Sequence, residues 1–283
     1  MFAAMAKEDD PKRDSTTRPP AMLRLARGLE RLHLDGLAFR VYEWRTARGA
    51  GDLPTTGEDG LPLPPPGLQV LVSGGAGTGF VEDGRQAAET ITTLLATNGT
   101  EISHCEAVLD FGIGCGRIAR HWKNVPGPAW HGCDYNPKLV AWCDANLPFV
   151  AVAENSLDPP LPYPDDSFDL VYAYSVFTHL HEQLQFAWIT ELERVLKPGG
   201  LLLFSVHGDA ATGGLDATEL AHYRDGQLVE RFSSSSGSNL CSVFHPDGWV
   251  RDELLCDFDV ADVLCGGAPG LGIHDVYLAR FQP

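Results

Sequence analysis

Apolar residues in the central part of the chain come in short runs, bounded by glycine, proline and acidic turns. Residues 107–110, 129–133, 149–153, 168–175 and 201–206 are compact apolar stretches of strand length. Between them, residues 117–122, 137–146 and 182–196 carry apolar positions at helical spacing. Pro137 stands at the first turn of its predicted helix, where its missing N–H would be unpaired in any residue. Repeated strand–helix–strand units of this size predict a parallel sheet with helices on both faces. Residues 258–264 and 274–281 read as strands joined by a short glycine-rich turn, which makes them antiparallel. The predicted fold class is therefore α/β, a doubly wound and mostly parallel sheet ending in an antiparallel hairpin.

The first part of the chain lacks this rhythm. Residues 1–20 are polar and charged and end in Pro19-Pro20, which predicts a disordered tail. Over residues 21–34, Leu23, Ala26 and Leu29 recur near helical spacing with arginines between them, an amphipathic helix expected to pack on the main domain. Residues 37–44 hold Phe39, Tyr42 and Trp44, and residues 49–67 are rich in Gly and Pro, an irregular connection. Residues 69–73 read as a strand, and residues 74–79 as a mobile glycine loop without the Gly-Lys-Ser/Thr ending of a phosphate loop. Residues 84–95 read as a helix with Ala87, Ile91, Leu94 and Leu95 on one side. Later, the polar stretch 209–237, with serines at 233–236, predicts an insertion with a helix over 217–223 and a flexible loop. The expected organisation is a tail (1–20), an N-terminal cap or lid (21–83), and a main domain (84–283) with an insertion at 209–240.

Candidate chemistry begins where the first strand of the alternating block ends. There the chain reads Asp110-Phe111-Gly112-Ile113-Gly114-Cys115-Gly116-Arg117. Glycine permits positive φ and lets a ligand approach the backbone. Free N–H groups at a following helix start can bind polar ligand groups. The spacing differs from the dinucleotide fingerprint Gly-x-Gly-x-x-Gly. Asp134 ends the next predicted strand, at about the distance expected for a ribose-binding carboxylate. Asp110, Asp134, Asn155 and Ser175 all fall at or just after strand carboxyl ends, where open α/β sheets bind ligands.

From about residue 84 to residue 281 the chain resembles the class I S-adenosylmethionine-dependent methyltransferases. The likeness rests on Asp110 to Gly116, on Asp134, on Asn155-Ser156-Leu157, on Tyr163-Pro164-Asp165-Asp166-Ser167-Phe168-Asp169, and on Leu196-Lys197-Pro198-Gly199-Gly200, in that order. The resemblance implies a Rossmann-like sheet of seven strands, S-adenosyl-L-methionine as cofactor, and an N-terminal cap beside the substrate. It also implies cofactor-binding roles for Asp110, Gly112, Gly114, Gly116, Asp134, Tyr135, Asn155, Ser156, Leu157 and Ser175. The implied activity is methyl transfer to a small-molecule acceptor, such as a secondary metabolite. The alternatives are a non-catalytic cofactor-binding module and an NAD-dependent oxidoreductase of similar fold, the latter disfavoured by the glycine spacing.

Methyl transfer to oxygen or nitrogen uses a base as well as proximity. Ser175-Val176-Phe177-Thr178-His179-Leu180-His181 follows the fourth strand, and His179 is the candidate catalytic residue. One of His179 and His181 is alternatively a cap for the next helix, and His207 and His245 are weaker candidates. No Asn-Pro-Pro-Tyr or Asp-Pro-Pro-Tyr follows that strand, which weakens a base- or glutamine-modifying reading. Lys+Arg 21 against Asp+Glu 38 gives a net charge of −17, which repels phosphate backbones and argues against a nucleic-acid partner. No apolar run reaches membrane-spanning length, and the first residues are too short for a signal sequence. The 7 cysteines, without Cys-x-x-Cys, suit a reduced, cytoplasmic protein, and two nearby histidines without a third ligand predict no metal site.

Overall fold

The computed structural model describes residues 35–51, 53–77 and 79–282. The predicted tail (1–20) and the predicted helix over 21–34 lie outside these residues.

Seven strands form the main sheet: β1 (Ala107–Phe111), β2 (Ala129–Asp134), β3 (Val150–Glu154), β4 (Phe168–Ala173), β5 (Leu196–Val206), β8 (Phe258–Leu264) and β9 (Asp275–Phe281). Their order is β3-β2-β1-β4-β5-β9-β8. The first five run parallel, while β9 runs against β5, with Leu201 facing Arg280 and Val206 facing Asp275, and against β8. The chain builds outward from β1 to β3, then returns to the other side of β1 with β4. That reversal opens a crevice at the strand carboxyl ends, between β1 and β4.

Both faces of the sheet are covered, so the strands are apolar on both sides rather than alternating. Leu109, Phe111, Val171, Leu202 and Phe204 join Trp188 and Leu192 in one core. Val108, Leu170, Tyr172, Leu201 and Leu203 join Ile91, Leu95 and Trp122 in the other. Helix α3 (Gly79–Thr97) buries Ala87, Ala88, Ile91, Leu94 and Leu95 on the second face. Helix α5 (Glu182–Val195) buries Leu184, Trp188, Leu192 and Val195 on the first. Helix α4 (Pro137–Asn146) starts at Asn136, whose side chain accepts from the Lys138 N–H. At Gly84 an added Cβ would lie 2.1 Å from the Arg117 carbonyl oxygen, so glycine lets α3 pack directly on the glycine turn.

Three local expectations are corrected. Residues 66–73 form a helix, α2 (Pro66–Ser73), not a strand over 69–73; Pro66 sits in its first turn and Gly74, at φ 68°, ends it. The helix predicted over 117–122 is reduced to a turn and a short 3-10 segment, Ala119–Trp122. The insertion is an ordered unit rather than a flexible loop. Helix α6 (Ala217–Arg224) carries a capping box between Asp216 and Glu219, and the short strands β6 (Val229–Arg231) and β7 (Ser242–Phe244) pair antiparallel. Arg231 ion-pairs with Glu219, and Ala211, Tyr223, Val229 and Phe244 form a small core beneath. Helix α1 (Asp35–Gly49) belongs to the N-terminal segment and α7 (Asp247–Trp249) follows β7. Among the described residues no helix is long and apolar enough to cross a membrane.

Candidate active site

A cavity of about 730 Å³ occupies the crevice at the reversal point. Gly112, Gly114, Asp134, Tyr135, Asn155, Ser156, Leu157, Ser175 and His179 all line it, although they come from four different strand ends. The sequence-predicted residues are thus brought together. Asp110 and Gly116 are the exceptions: both lie behind the wall.

At one end, Asp134 is buried, and its Oδ2 accepts from the Gly114 N–H at 3.0 Å and its Oδ1 from the Asn136 N–H at 2.8 Å. Each carboxylate oxygen keeps a second lone pair, so the group can take two further donors. Burial raises its pKa to about 6, against the lowering effect of those two N–H bonds. Asp110 lies deeper, bonded by the Tyr172 hydroxyl. Burial, with the neighbouring Asp134 charge adding to it, pushes its pKa to about 7.

The glycine turn owes its shape to close approaches. Gly112, Gly114 and Gly116 have φ of 80°, 57° and 67°. A Cβ would lie 2.5 Å from Val176 Cγ2 at Gly112, 2.8 Å from Val72 Cγ2 at Gly114 and 2.1 Å from Leu147 Cδ1 at Gly116. Gly116 therefore serves packing beneath the turn. The turn's amides do not stand free, as a helix start would leave them. Gly112 and Ile113 donate to the Cys133 carbonyl, Gly114 to Asp134, and Gly116 to Ile113.

Beyond the turn, the floor is built from β4, β5 and β9. Ser175 follows β4 with φ 60°, a left-handed conformation that costs about 1–3 kcal/mol outside glycine. Its N–H donates to Ser205 Oγ at 2.8 Å, and its Oγ lies 3.4 Å from His179 Nε2. His179 Nδ1 donates to the Cys241 carbonyl at 2.6 Å, and His207 Nδ1 to the Val243 carbonyl at 3.1 Å. A carbonyl can only accept, so in both rings Nε2 carries the lone pair. Burial depresses both imidazoles, His207 to about 3, and keeps them neutral. His181 does not join them: it caps α5, its Nδ1 accepting from the Leu184 N–H at 3.3 Å. His245 lies in the core, on Gln185 Oε1 at 3.0 Å.

Several lining residues were not legible as site residues. His274, beside Ser205 at 3.0 Å, immediately precedes β9. An antiparallel strand brings its first residue to the carboxyl ends of its parallel neighbours, and that rule would have found it. Glu43 of α1, Val72 of α2, Arg117 and Tyr174 also line the cavity. Segment 236–239 crosses its mouth: His181 N–H donates to Ser236 Oγ, Gly237 N–H to the His179 carbonyl at 2.7 Å, and Asn239 Nδ2 to the Leu71 carbonyl at 2.7 Å.

Residues 109–204 match the family model described as a methyltransferase domain. The chain is 42% identical over 74 residues to a probable S-adenosylmethionine-dependent methyltransferase of Mycolicibacterium smegmatis, covering 26% of this chain and 28% of that protein. It is 34% identical over 115 residues to a malonyl-[acyl-carrier protein] O-methyltransferase of Herminiimonas arsenicoxydans, covering 39% and 41%. The matched segments thus span well under half the length of these curated relatives. Among solved structures, the 1,6-didemethyltoxoflavin-N1-methyltransferase of Burkholderia thailandensis aligns with a TM-score of 0.51 at 17% identity, over 71% of this chain and 80% of that one. An S-adenosylmethionine-dependent methyltransferase from Mesorhizobium loti aligns with a TM-score of 0.50 at 19% identity, over 69% and 99%. Over its matched residues the chain is similar to S-adenosylmethionine-dependent methyltransferases. The cofactor named for these relatives is S-adenosylmethionine rather than a nicotinamide nucleotide.

The residues present fit that cofactor. Asn155 Oδ1 is buried without a hydrogen-bond partner, while its Nδ2 donates to the Ser156 carbonyl at 2.6 Å. An orphaned acceptor at this end suits an exocyclic amino group, and the spare lone pairs of Asp134 suit a pair of hydroxyls.

Proposed function

We propose that this protein transfers the methyl group of S-adenosyl-L-methionine to a small-molecule acceptor carrying a protic oxygen or nitrogen. The observation that carries this reading is the continuity of one cavity, from Asp134 and Asn155 at one end to His179 and His207 at the other. Its volume of about 730 Å³ lies within the range of small-molecule sites.

In this reading Asp134 and Asn155 hold the nucleoside end, Tyr135 and Leu157 flank it, and Gly112 and Gly114 admit the methionine part against the backbone. Asp110 and Gly116 act from behind, by shaping the turn. Bound there, the cofactor would supply an electrophilic sulfonium methyl, with the electron pair of the broken C–S bond remaining on sulfur. His179 is the catalytic residue. Its Nδ1–H is committed to Cys241, so Nε2 can take the acceptor's proton as the new bond to carbon forms. Because burial keeps this ring neutral, it is available as a base at neutral pH. Helix α1, through Glu43, and the insertion, through Ser238 and Asn239, close the cavity from outside, a cap that excludes water from the reacting groups.

The test pairs binding with turnover. Wild-type protein should bind S-adenosylhomocysteine and transfer labelled methyl to members of a panel of hydroxylated and amino aromatic compounds. His179→Asn should bind S-adenosylhomocysteine within about twofold of wild type and lose about 10²–10⁴ in kcat. A wild-type protein that neither binds S-adenosylhomocysteine nor methylates any compound would sink the reading.

A further inference from the structure

The cavity contains a charge that the methyl-transfer reading leaves without a role. Arg117 is the sole lysine or arginine among the described lining residues. Elsewhere in this acidic chain, three of the wholly or partly buried arginines have carboxylate partners, Arg120 with Asp59 at 2.7 Å, Arg194 with Glu191 at 2.5 Å, and Arg231 with Glu219, while Arg280 donates to the Gly199 carbonyl at 2.8 Å. Among the described residues no carboxylate lies within ion-pair distance of Arg117. Its guanidinium instead sits over the Tyr174 ring, 5.3 Å from the centroid. Arg117 is partly buried, and the Asp110 carboxylate behind the wall feels its charge without pairing with it.

The position of Arg117 points to the acceptor. The Tyr174 hydroxyl donates to the Leu271 carbonyl at 2.8 Å, which fixes the ring from the loop before β9. The same ring stacks on His274, with centroids 5.2 Å apart and planes 24° apart, and His274 meets His207 at 4.8 Å. Arg117 therefore stands on the wall that carries the imidazoles, while the nucleoside end of the cavity is built from Asp134 and Asn155. The imidazoles are neutral, so the guanidinium is the positive charge this wall offers. A planar fork of donors matches a carboxylate in bidentate geometry. One cation balances a monoanion, which favours a carboxylate over a phosphate dianion.

We infer that Arg117 is the acceptor's anchor, and that the acceptor is an organic acid whose carboxylate pairs with Arg117 while its protic nucleophile faces His179. The inference rests on the methyltransferase reading of the cavity. The local charge also offsets, at this wall, a protein whose net charge of −17 would otherwise repel an anionic substrate.

The test separates three results. S-adenosylhomocysteine affinity is measured by calorimetry for wild type, Arg117→Gln and Arg117→Lys. Protein saturated with S-adenosylhomocysteine is then titrated, by ligand-observed NMR, with matched acids and amides: benzoate and benzamide, salicylate and salicylamide, indoleacetate and indoleacetamide. Wild type should bind at least one acid about tenfold more tightly than its amide, the scale of a charge-assisted pair. Arg117→Gln should lose that preference and keep S-adenosylhomocysteine affinity within about twofold, as expected for a side chain that does not touch the cofactor. Arg117→Lys keeps the charge and should keep a reduced preference, which also serves if the Gln variant does not fold. Wild type with no acid preference in any pair overturns the inference. So does a folded Arg117→Gln protein whose S-adenosylhomocysteine affinity falls about tenfold, because the guanidinium then holds the cofactor's own carboxylate. Failure of wild type to bind S-adenosylhomocysteine is a different result, and removes the methyltransferase reading itself.

Discussion

The Tyr135 hydroxyl donates to the Gly237 carbonyl oxygen at 2.6 Å, joining the end of β2 to a residue about a hundred positions later in the insertion. Gly237 has φ 85° and returns its own N–H to the His179 carbonyl at 2.7 Å. One residue of the insertion thus bridges the Asp134 side of the cavity and the segment that carries the candidate base.

Breaking that bridge should loosen the mouth of the cavity without touching its floor. Tyr135→Phe keeps the ring and removes one hydrogen bond of about 0.5–1.5 kcal/mol. Stopped-flow measurement should show S-adenosylhomocysteine leaving several times faster, with little change in melting temperature. An unchanged release rate would mean that the strap is no barrier to exchange.

Asp134 should govern affinity and its pH dependence. Asp134→Asn should weaken S-adenosylhomocysteine binding by about 1.5–3 kcal/mol, the scale for hydrogen bonds to a charged group. For wild type the carboxylate is the competent form, and its pKa is raised to about 6. Protonation replaces an acceptor by a donor, so affinity should be flat above about pH 7 and decline as pH falls through about 6. Calorimetry across that window checks both, and a pH-independent Kd removes Asp134 from the site.

The glycine turn makes a steric prediction. Gly114→Val adds a Cβ about 2.8 Å from Val72 Cγ2 and asks a β-branched residue to adopt φ 57°. Cofactor binding should be lost while the circular dichroism spectrum is retained, since α2, which carries Val72, can yield at the edge of the fold. Normal binding would show that this turn does not form the cofactor loop.

His207 should reveal itself in acid stability. Its folded-state pKa is lowered by burial to about 3, against 6.5 for the free side chain. Between those values the unfolded chain holds a proton that the folded chain does not. Stability therefore rises with pH through this window and is lost as pH falls below about 6.5, by up to about 1.4 kcal/mol per pH unit. His207→Asn, which cannot titrate, should flatten the fall in melting temperature between neutral pH and pH of about 4. Identical slopes for the two proteins would exclude the buried neutral ring.

The alternating strands and helices were legible because burial on both sheet faces leaves continuous apolar runs, as in Val171 and Phe204. Gly112, Gly114 and Asp134 were legible as lining residues because each stands at or just past the end of a buried strand, where the apolar run stops and the crevice begins. The segment 69–73 was misread because Leu68, Val70 and Val72 alternate like a strand, and the proline at residue 66 decides for a helix. The insertion was read as loose because strands of 3 residues carry no periodic signal and its core comes from Ala211 and Phe244, far apart in sequence. Arg117, Tyr174 and His274 meet only through the reversed strand β9, and no local pattern encodes that contact.

That reversed strand has an evolutionary consequence. β9 brings residues 265–274 to the mouth of the site, far along the chain from residues 112–157, which line the end proposed to hold the nucleoside. That wall of the cavity is thus written apart from the Asp134 and Asn155 end in the gene, although Arg117, the proposed acceptor anchor, belongs to the earlier stretch. The hairpin tip can accumulate changes, or be exchanged between relatives as a cassette, without disturbing the earlier stretch. A lineage using this arrangement can reshape one wall of the cavity while leaving the Asp134 end intact.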